Sequence, residues 1–262
     1  MKAHWFDYLP PFLRWRVINW GQHLRVMWLK YHRPEPDLAG VKIPVMRALS
    51  DNICAAIYDG YYESAELSTF KTKLDQNDTV LEIGAGIGFL SSYCARQIGS
   101  ENVFAYEANP QLEPLIRSVY SANRVHPNLK LGVLGERASQ AKFYVTKDFW
   151  ASSLSRPLVP CKELQVPVYP LNEEVRRINP TFLVMDIEGG EYDLIKSIDF
   201  HTIRKISVEL HTDVLGQEKI DEIKSIMNGA GFLADNNLSR VIPGVKEVLF
   251  LEREEHFAST LP

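Results

Sequence analysis

Val80-Leu81-Glu82-Ile83-Gly84-Ala85-Gly86-Ile87-Gly88 decides the fold. A short apolar run that breaks into glycines at alternate positions reads as a buried strand followed by a tight turn. Residues 89–98 then predict a helix, which Gly99 stops. Residues 103–107 predict a second strand. Pro110 opens a helix to about Asn123, where proline suits the first turn, and residues 129–134 predict a third strand. Repeated strand–helix units of this length predict a parallel sheet with right-handed crossovers, an α/β fold of Rossmann-like kind with helices on both faces.

The pattern extends in both directions. Residues 45–74 read as helical, with Asp59-Gly60 as a turn inside them. Residues 141–146 and 165–169 predict short extra strands around a Ser/Pro-containing loop over 147–163. Alternation then resumes, with strands over 182–187, 206–210, 232–234 and 247–251 and helices over 191–198 and 218–228. No internal repeat or low-complexity segment interrupts it.

In open α/β sheets the ligand sits beyond the carboxyl ends of the strands, and glycines after the first strand let it approach the backbone. Glu82 closes the first strand, and Glu107 closes the second, 21 residues after Gly86. A carboxylate at the second position can accept hydrogen bonds from both ribose hydroxyls. A nicotinamide oxidoreductase is the competing reading, but its loop is normally G-x-G-x-x-G with pyrophosphate on a helix N-terminus. Here the spacing is Gly84-x-Gly86-x-Gly88, and Glu82 is a poor neighbour for a doubly charged pyrophosphate. A cofactor with a ribose, a sulfonium and an ammonium, and no phosphate, fits better. That describes S-adenosyl-L-methionine.

Three stretches resemble the FkbM family of methyltransferases. They are Gly60-Tyr61-Tyr62-Glu63 with Glu66, the strand and glycine loop over 80–88, and Met185-Asp186-Ile187-Glu188-Gly189-Gly190-Glu191, close to the family's D-x-E-G-x-E. Ser152-Ser153-Leu154 and Ser207-Val208-Glu209-Leu210-His211 match it loosely. The resemblance spans residues 55 to 251. It implies a seven-strand class I methyltransferase sheet and O-methylation of a small molecule or glycan, a sugar above all. The family more often has Asp at the position of Glu82 and Asn at or near Ala85, which implies a different arrangement at the cofactor's methionine end.

The expected cofactor-binding residues are Glu63, Glu82, Gly84, Ala85, Gly86, Gly88, Glu107, Ala108, Asn109, Leu134 and Asp186. Asp186 ends the fourth main strand beside the first, so its side chain is expected to face the cleft, with Glu188 on the same side if the strand stays extended. Glu191 doubles as an acid at a helix start, where the dipole favours it. Methyl transfer needs in-line approach and loss of water, and a base helps because a protonated alcohol is a weak nucleophile. His211, just after the fifth strand, is the first choice for that base and Asp186 the second. Asp186, Glu188 and His211 form the expected catalytic set. Ser152, Ser153, Glu188, Glu191, Glu209 and His211 are expected to bind the acceptor. Asp186, Glu188 and His211 have the ligand types for a metal, but their spacing is not diagnostic, and no metal is expected.

The 262 residues suit one domain with an attachment: a basic, Trp-rich helical arm and linker over 1–40 and a methyltransferase domain over 41–262. Residues 1–33 carry six Lys/Arg against Asp7 alone, a net +5, while the remainder carries 23 Lys/Arg against 32 Asp/Glu, a net −9. An acidic body argues against binding a nucleic-acid backbone. Four of the five tryptophans lie in the arm, and a helical reading aligns Leu13, Val17, Trp20, Leu24, Met27, Trp28 and Tyr31. Two readings of residues 11–33 stay open. One is an interfacial helix touching a membrane peripherally, and the other is a stripe packed on the domain or on a second copy. Three scattered cysteines without a CxxC pair, no long apolar run and no signal-peptide pattern lead to the expectation of a cytoplasmic protein. A cofactor-binding scaffold without turnover remains a third function class.

Overall fold

The computed structural model describes residues 11–33, 35–44 and 46–253, with side chains from Trp20 onward. Readings that involve Lys2, Trp5 and Asp7, or the side chains of Leu13, Arg14, Trp15, Arg16 and Val17, lie outside the described residues.

The chain begins with α1 (Pro11–His32), a small hairpin of β1 (Asp37–Leu38) and β2 (Val41–Lys42), then α2 (Asp51–Tyr58) and α3 (Ser64–Lys73). The alternating region runs β3 (Val80–Ile83), α4 (Phe89–Ile98), β4 (Val103–Glu107), α5 (Glu113–Asn123) and β5 (Asn128–Leu131). Next come β6 (Val133–Gly135), β7 (Ser139–Thr146), β8 (Cys161–Pro170) and α6 (Leu171–Ile178). The second half follows as β9 (Phe182–Met185), α7 (Glu191–Ser197), β10 (Lys205–His211), α8 (Thr212–Leu215), α9 (Gln217–Gly229), β11 (Leu233–Ala234), β12 (Arg240–Ile242) and β13 (Lys246–Glu252).

The main sheet has the strand order β5-β4-β3-β9-β10-β13-β11, with β12 also on β13. Pairings from β5 through β10 are parallel, while β13 is antiparallel to β10, β11 and β12. A parallel sheet with one antiparallel strand inserted near its edge is the class I methyltransferase arrangement implied above. The strand-order reversal falls between β3 and β9, so their carboxyl ends flank the crevice.

The central strands are buried on both faces, as parallel strands under helices must be. Their alternation feeds two cores. Val80, Phe182 and Val184 pack with α3, α4 and α5, whereas Leu81, Ile83, Leu183 and Met185 pack with α6, α7 and α9. This parity governs where Glu82 points.

Several elements differ from the sequence expectation. The predicted third strand is two strands, broken at Gly132, where a Cβ would lie 2.4 Å from the Pro167 carbonyl oxygen. Its second half, β6, joins β8 and β7 in a separate three-stranded sheet. Helix α6 is additional, burying Leu171, Val175 and Ile178 at helical spacing. The strand expected to run to residue 187 stops at Met185, because Glu188 (φ 53°) and Gly189 (φ 101°) turn the chain away.

Helix α1 docks through a different face from the one its pattern suggests. Among its described side chains Val26 is buried, while Trp20, Leu24, Met27, Trp28 and Tyr31 are 48–76% exposed. Arg25 pairs with Asp59 and His23 with Asp51; Lys30 Nζ donates to the Leu49 carbonyl (2.9 Å) and to Asp51 (3.1 Å). Among the described residues, the stripe lies largely exposed. No helix among the described residues is long and apolar enough to cross a membrane.

Candidate active site

Strand ends and loops enclose a cavity of about 1450 Å³ at the crevice. Small-molecule pockets commonly hold roughly 300–1,000 Å³, so this one has room for two ligands side by side. The glycine loop forms one wall. Gly84 and Ala85 donate backbone hydrogen bonds to the Tyr106 carbonyl (2.9 and 3.0 Å), tying the loop to β4. Gly84 has φ 96°, and a Cβ there would lie 2.0 Å from the Asp186 carbonyl oxygen. A side chain would therefore separate β3 from the Asp186 turn. At Gly86 (φ 54°) a Cβ would meet the Tyr62 hydroxyl at 2.9 Å.

Glu107 is buried at the end of β4. Its Oε2 accepts from Gly86 N (2.8 Å) and its Oε1 from Asn109 N (2.7 Å). Burial raises its pKa to about 7 against the pull of those backbone N–H groups. Each oxygen keeps a lone pair for a ribose hydroxyl. Glu63 stands across the loop, in a left-handed conformation (φ 47°) before α3. Its Oε2 is buried without a hydrogen-bond partner, and burial followed by the nearby Glu82 raises its pKa well above the carboxylate range. An orphaned buried carboxylate over the glycine loop suits a cationic ammonium, and apolar Ala108 and Leu134 beside Glu107 suit an adenine. The site fits S-adenosylmethionine on these features.

Opposite the loop, four carboxylates surround one imidazole. His211 Nδ1 lies 3.0 Å from Glu191 Oε1, and Nε2 lies 3.1 Å from Glu209, 3.3 Å from Glu188 and 3.9 Å from Asp186. Burial opposes charge on the ring. The hydrogen bonds to Glu191 and Glu209 and the charges of Asp186 and Glu188 outweigh it and raise His211 to about 11. The ring is then an imidazolium at neutral pH, donating from both nitrogens, with no lone pair for a proton. Such a ring is better suited to positioning its neighbours than to the expected role of base. Asp186 is raised above the usual carboxylate range by burial and then by Glu209, with His211 pulling the other way. Glu188 differs: burial raises it and His211 lowers it, leaving it at about 7. Burial would also raise Glu209, but His211 and Lys246, whose Nζ sits 2.6 Å away, hold it low.

Of the expected cofactor residues, Glu63, Gly84, Gly86, Glu107, Ala108, Leu134 and Asp186 line the cavity. Glu82, Ala85, Gly88 and Asn109 do not. Glu82 shares the parity of Val80 and points beneath α4, where burial raises it to about 8 against hydrogen bonds from Ser91. Ala85 is fully buried. Gly88 admits Tyr120 and Ile116 of α5, which a Cβ would meet at 2.8 and 2.9 Å. Asn109 caps the next turn by accepting from Gln111 N (3.1 Å). Of the acceptor residues, Ser152, Glu188, Glu209 and His211 line the cavity. Ser153 bonds within its own turn to Ser155, and Glu191, fully buried, stands behind His211.

Sequence reasoning missed Lys246, Arg240, Phe149 and Trp150, which also line the cavity. Tyr62 and Glu66 were in view only as part of the lead-in stretch. Asp186, Glu188 and His211 each offer one atom within 4.8 Å of the others, so a divalent cation could be held there, at the expense of the Nε2 proton.

A family model described as the FkbM methyltransferase domain matches residues 82–234. No curated protein sequence matches significantly. Among solved structures, the chain is similar to a methyltransferase from Pyrococcus furiosus, with 12% identity, TM-score 0.47 and coverage of 89% of this chain and 98% of that one. It is similar to precorrin-6y C5,15-methyltransferase from Geobacter metallireducens, with 13% identity, TM-score 0.44 and 73% and 88% coverage. It is also similar to M. jannaschii TYW2 in complex with AdoMet, with 15% identity, TM-score 0.44 and 84% and 86% coverage.

Proposed function

The chain belongs to the FkbM methyltransferase family, and on that premise we propose that it moves a methyl group from S-adenosylmethionine to a hydroxyl oxygen of a small molecule or glycan, with a sugar as the acceptor class. One observation carries the reading: Glu188, poised at about 7, lies in the cavity 3.3 Å from the His211 imidazolium. A base with a pKa near the working pH is the best compromise between being deprotonated and being strong enough to take a proton.

When bound, S-adenosylmethionine supplies an electrophilic sulfonium methyl. Glu107 accepts from the ribose hydroxyls, and Glu63 from the ammonium. Glu188 takes the acceptor's hydroxyl proton as the oxygen approaches. His211 is a positioning group, held from behind by Glu191 and donating toward Glu188 and Glu209. Phe149 and Leu134 keep water from the apolar wall. The cytoplasmic location belongs to the same reading and is supported by three free thiols.

The oxidoreductase alternative is disfavoured because a pyrophosphate on the loop would face Glu63 and Glu107 together. A labelled-methyl transfer screen against glycan and small-molecule pools tests the proposal, beside calorimetric titration with S-adenosylmethionine and a nicotinamide dinucleotide. Binding of the dinucleotide alone overturns the cofactor. Cofactor affinity without turnover on any acceptor favours a scaffold instead.

A further inference from the structure

Helix α1 is held by its polar flank and shows its strongest apolar stripe to solvent. At about 100° per residue, Trp20, Leu24, Met27, Trp28 and Tyr31 fall within one arc of about 100°. Each is 48–76% exposed. Docking uses Val26, with Arg25 on Asp59 and Lys30 on Asp51. A contiguous exposed stripe of this size marks a surface that meets something apolar.

A second exposed apolar set surrounds the cavity mouth. Tyr61, Trp150, Leu154, Ile242 and Val245 line the cavity and are 36–75% exposed. Helix α2 and the turn after it join the two sets. Asp59, the partner of Arg25, is two residues from Tyr61, and Asn52 Nδ2 donates to Asp148 Oδ2 (3.0 Å), two residues before Trp150.

We propose that the α1 stripe and the mouth rim seat together on an anionic bilayer interface, from which the cavity draws a membrane-borne acceptor. Tryptophan and tyrosine rings favour the headgroup boundary, where an apolar body and a polar tip are both satisfied. The net charges of +5 over residues 1–33 and −9 over the rest, or +3 and −7 once Asp51 and Asp59 are counted with the arm they pair with, make the complement. An anionic surface attracts the arm and repels the body, which orients the protein. A second copy paired stripe to stripe lacks this complementarity, because it would bring two basic arms together. Delivery of an acceptor rests on the methyl-transfer reading; the seating does not, and its test uses no turnover.

The full chain is floated with vesicles of phosphatidylcholine alone and of phosphatidylcholine with phosphatidylglycerol, at low and high salt. Expected is flotation with the anionic vesicles, a blue shift of tryptophan emission and weakening by salt. The triple variant Trp20→Ser, Trp28→Ser, Tyr31→Ser lowers partitioning by about tenfold or more. Because these side chains are exposed, its affinity for S-adenosylmethionine stays that of the natural chain, which shows that the variant folds. Absence of flotation by the natural chain overturns the proposal, as does equal flotation of the variant. A dimer in sedimentation velocity that the triple variant dissociates assigns the stripe to a second copy and also overturns it.

Discussion

Replacing Glu188 with Gln tests the assignment of the base. The substitution keeps the shape and the Oε1 acceptor while removing the proton-accepting charge beside His211. With Glu188 at about 7, half of the sites carry the base at pH 7; at pH 6 only about a tenth do. On an acceptor identified by the transfer screen, kcat/KM should climb about tenfold per pH unit below 7 and level off above it. The Gln variant should lose about a hundred- to ten-thousand-fold in kcat while binding of S-adenosylmethionine, read by calorimetry, stays within about threefold. His211, at about 11, predicts a different profile if it were the base, still climbing through pH 9. A nitrogen-15 NMR titration of the histidine ring reads the same point directly and should report an imidazolium through pH 9. A climbing profile, a neutral ring at pH 8 or full activity of Glu188→Gln would each refute the reasoning.

Glu82→Gln is expected to stabilise the protein in alkali. Burial raises Glu82 from 4.5 to about 8, so the native state holds a proton that the unfolded chain has lost. Stability falls as pH rises across that window, by an amount on the order of 5 kcal/mol once past it; thermal melts should show Gln and Glu alike near pH 5 and Gln ahead at pH 9. Gly84→Ala should prevent folding or abolish cofactor binding, because its Cβ would lie 2.0 Å from the Asp186 oxygen. Gly60→Ala, with φ 76° and nothing within 4 Å, should cost only about 1 kcal/mol in a denaturant melt. Chelation should leave turnover unchanged, since the imidazolium fills the role a cation would take; activity lost to a chelator and restored by a divalent cation would place a metal on Asp186, Glu188 and His211.

The parallel sheet was legible because its signals are local. Residues 182–185 are apolar at every position and residues 80–83 at all but Glu82, and the glycines and prolines around them punctuate the turns. Gly84, Gly86 and Glu107 were found for the same reason: a strand end followed by a tight turn specifies where the backbone can meet a ligand. The break at Gly132 was not found, since it depends on Pro167 approaching from a strand far along the chain. Helix α6 was passed over, although Leu171, Val175 and Ile178 carried the spacing, because it lies between irregular segments.

The sequence by itself determined the fold class, the cofactor loop and the residue types gathered in the Asp186–Glu191 motif. Local periodicity and turn chemistry suffice for those. Only the tertiary structure decided how the motif works. Pairing of β9 with β10 brings Glu188 to His211, and the antiparallel register of β10 with β13 sets Lys246 opposite His211. Strand parity turned Glu82 away from the cleft. The charge of His211 depends on Glu191, Glu209, Asp186 and Glu188, which converge from several parts of the chain. A pKa sums over every charge within a few ångströms, and that sum exists only once strand order is set.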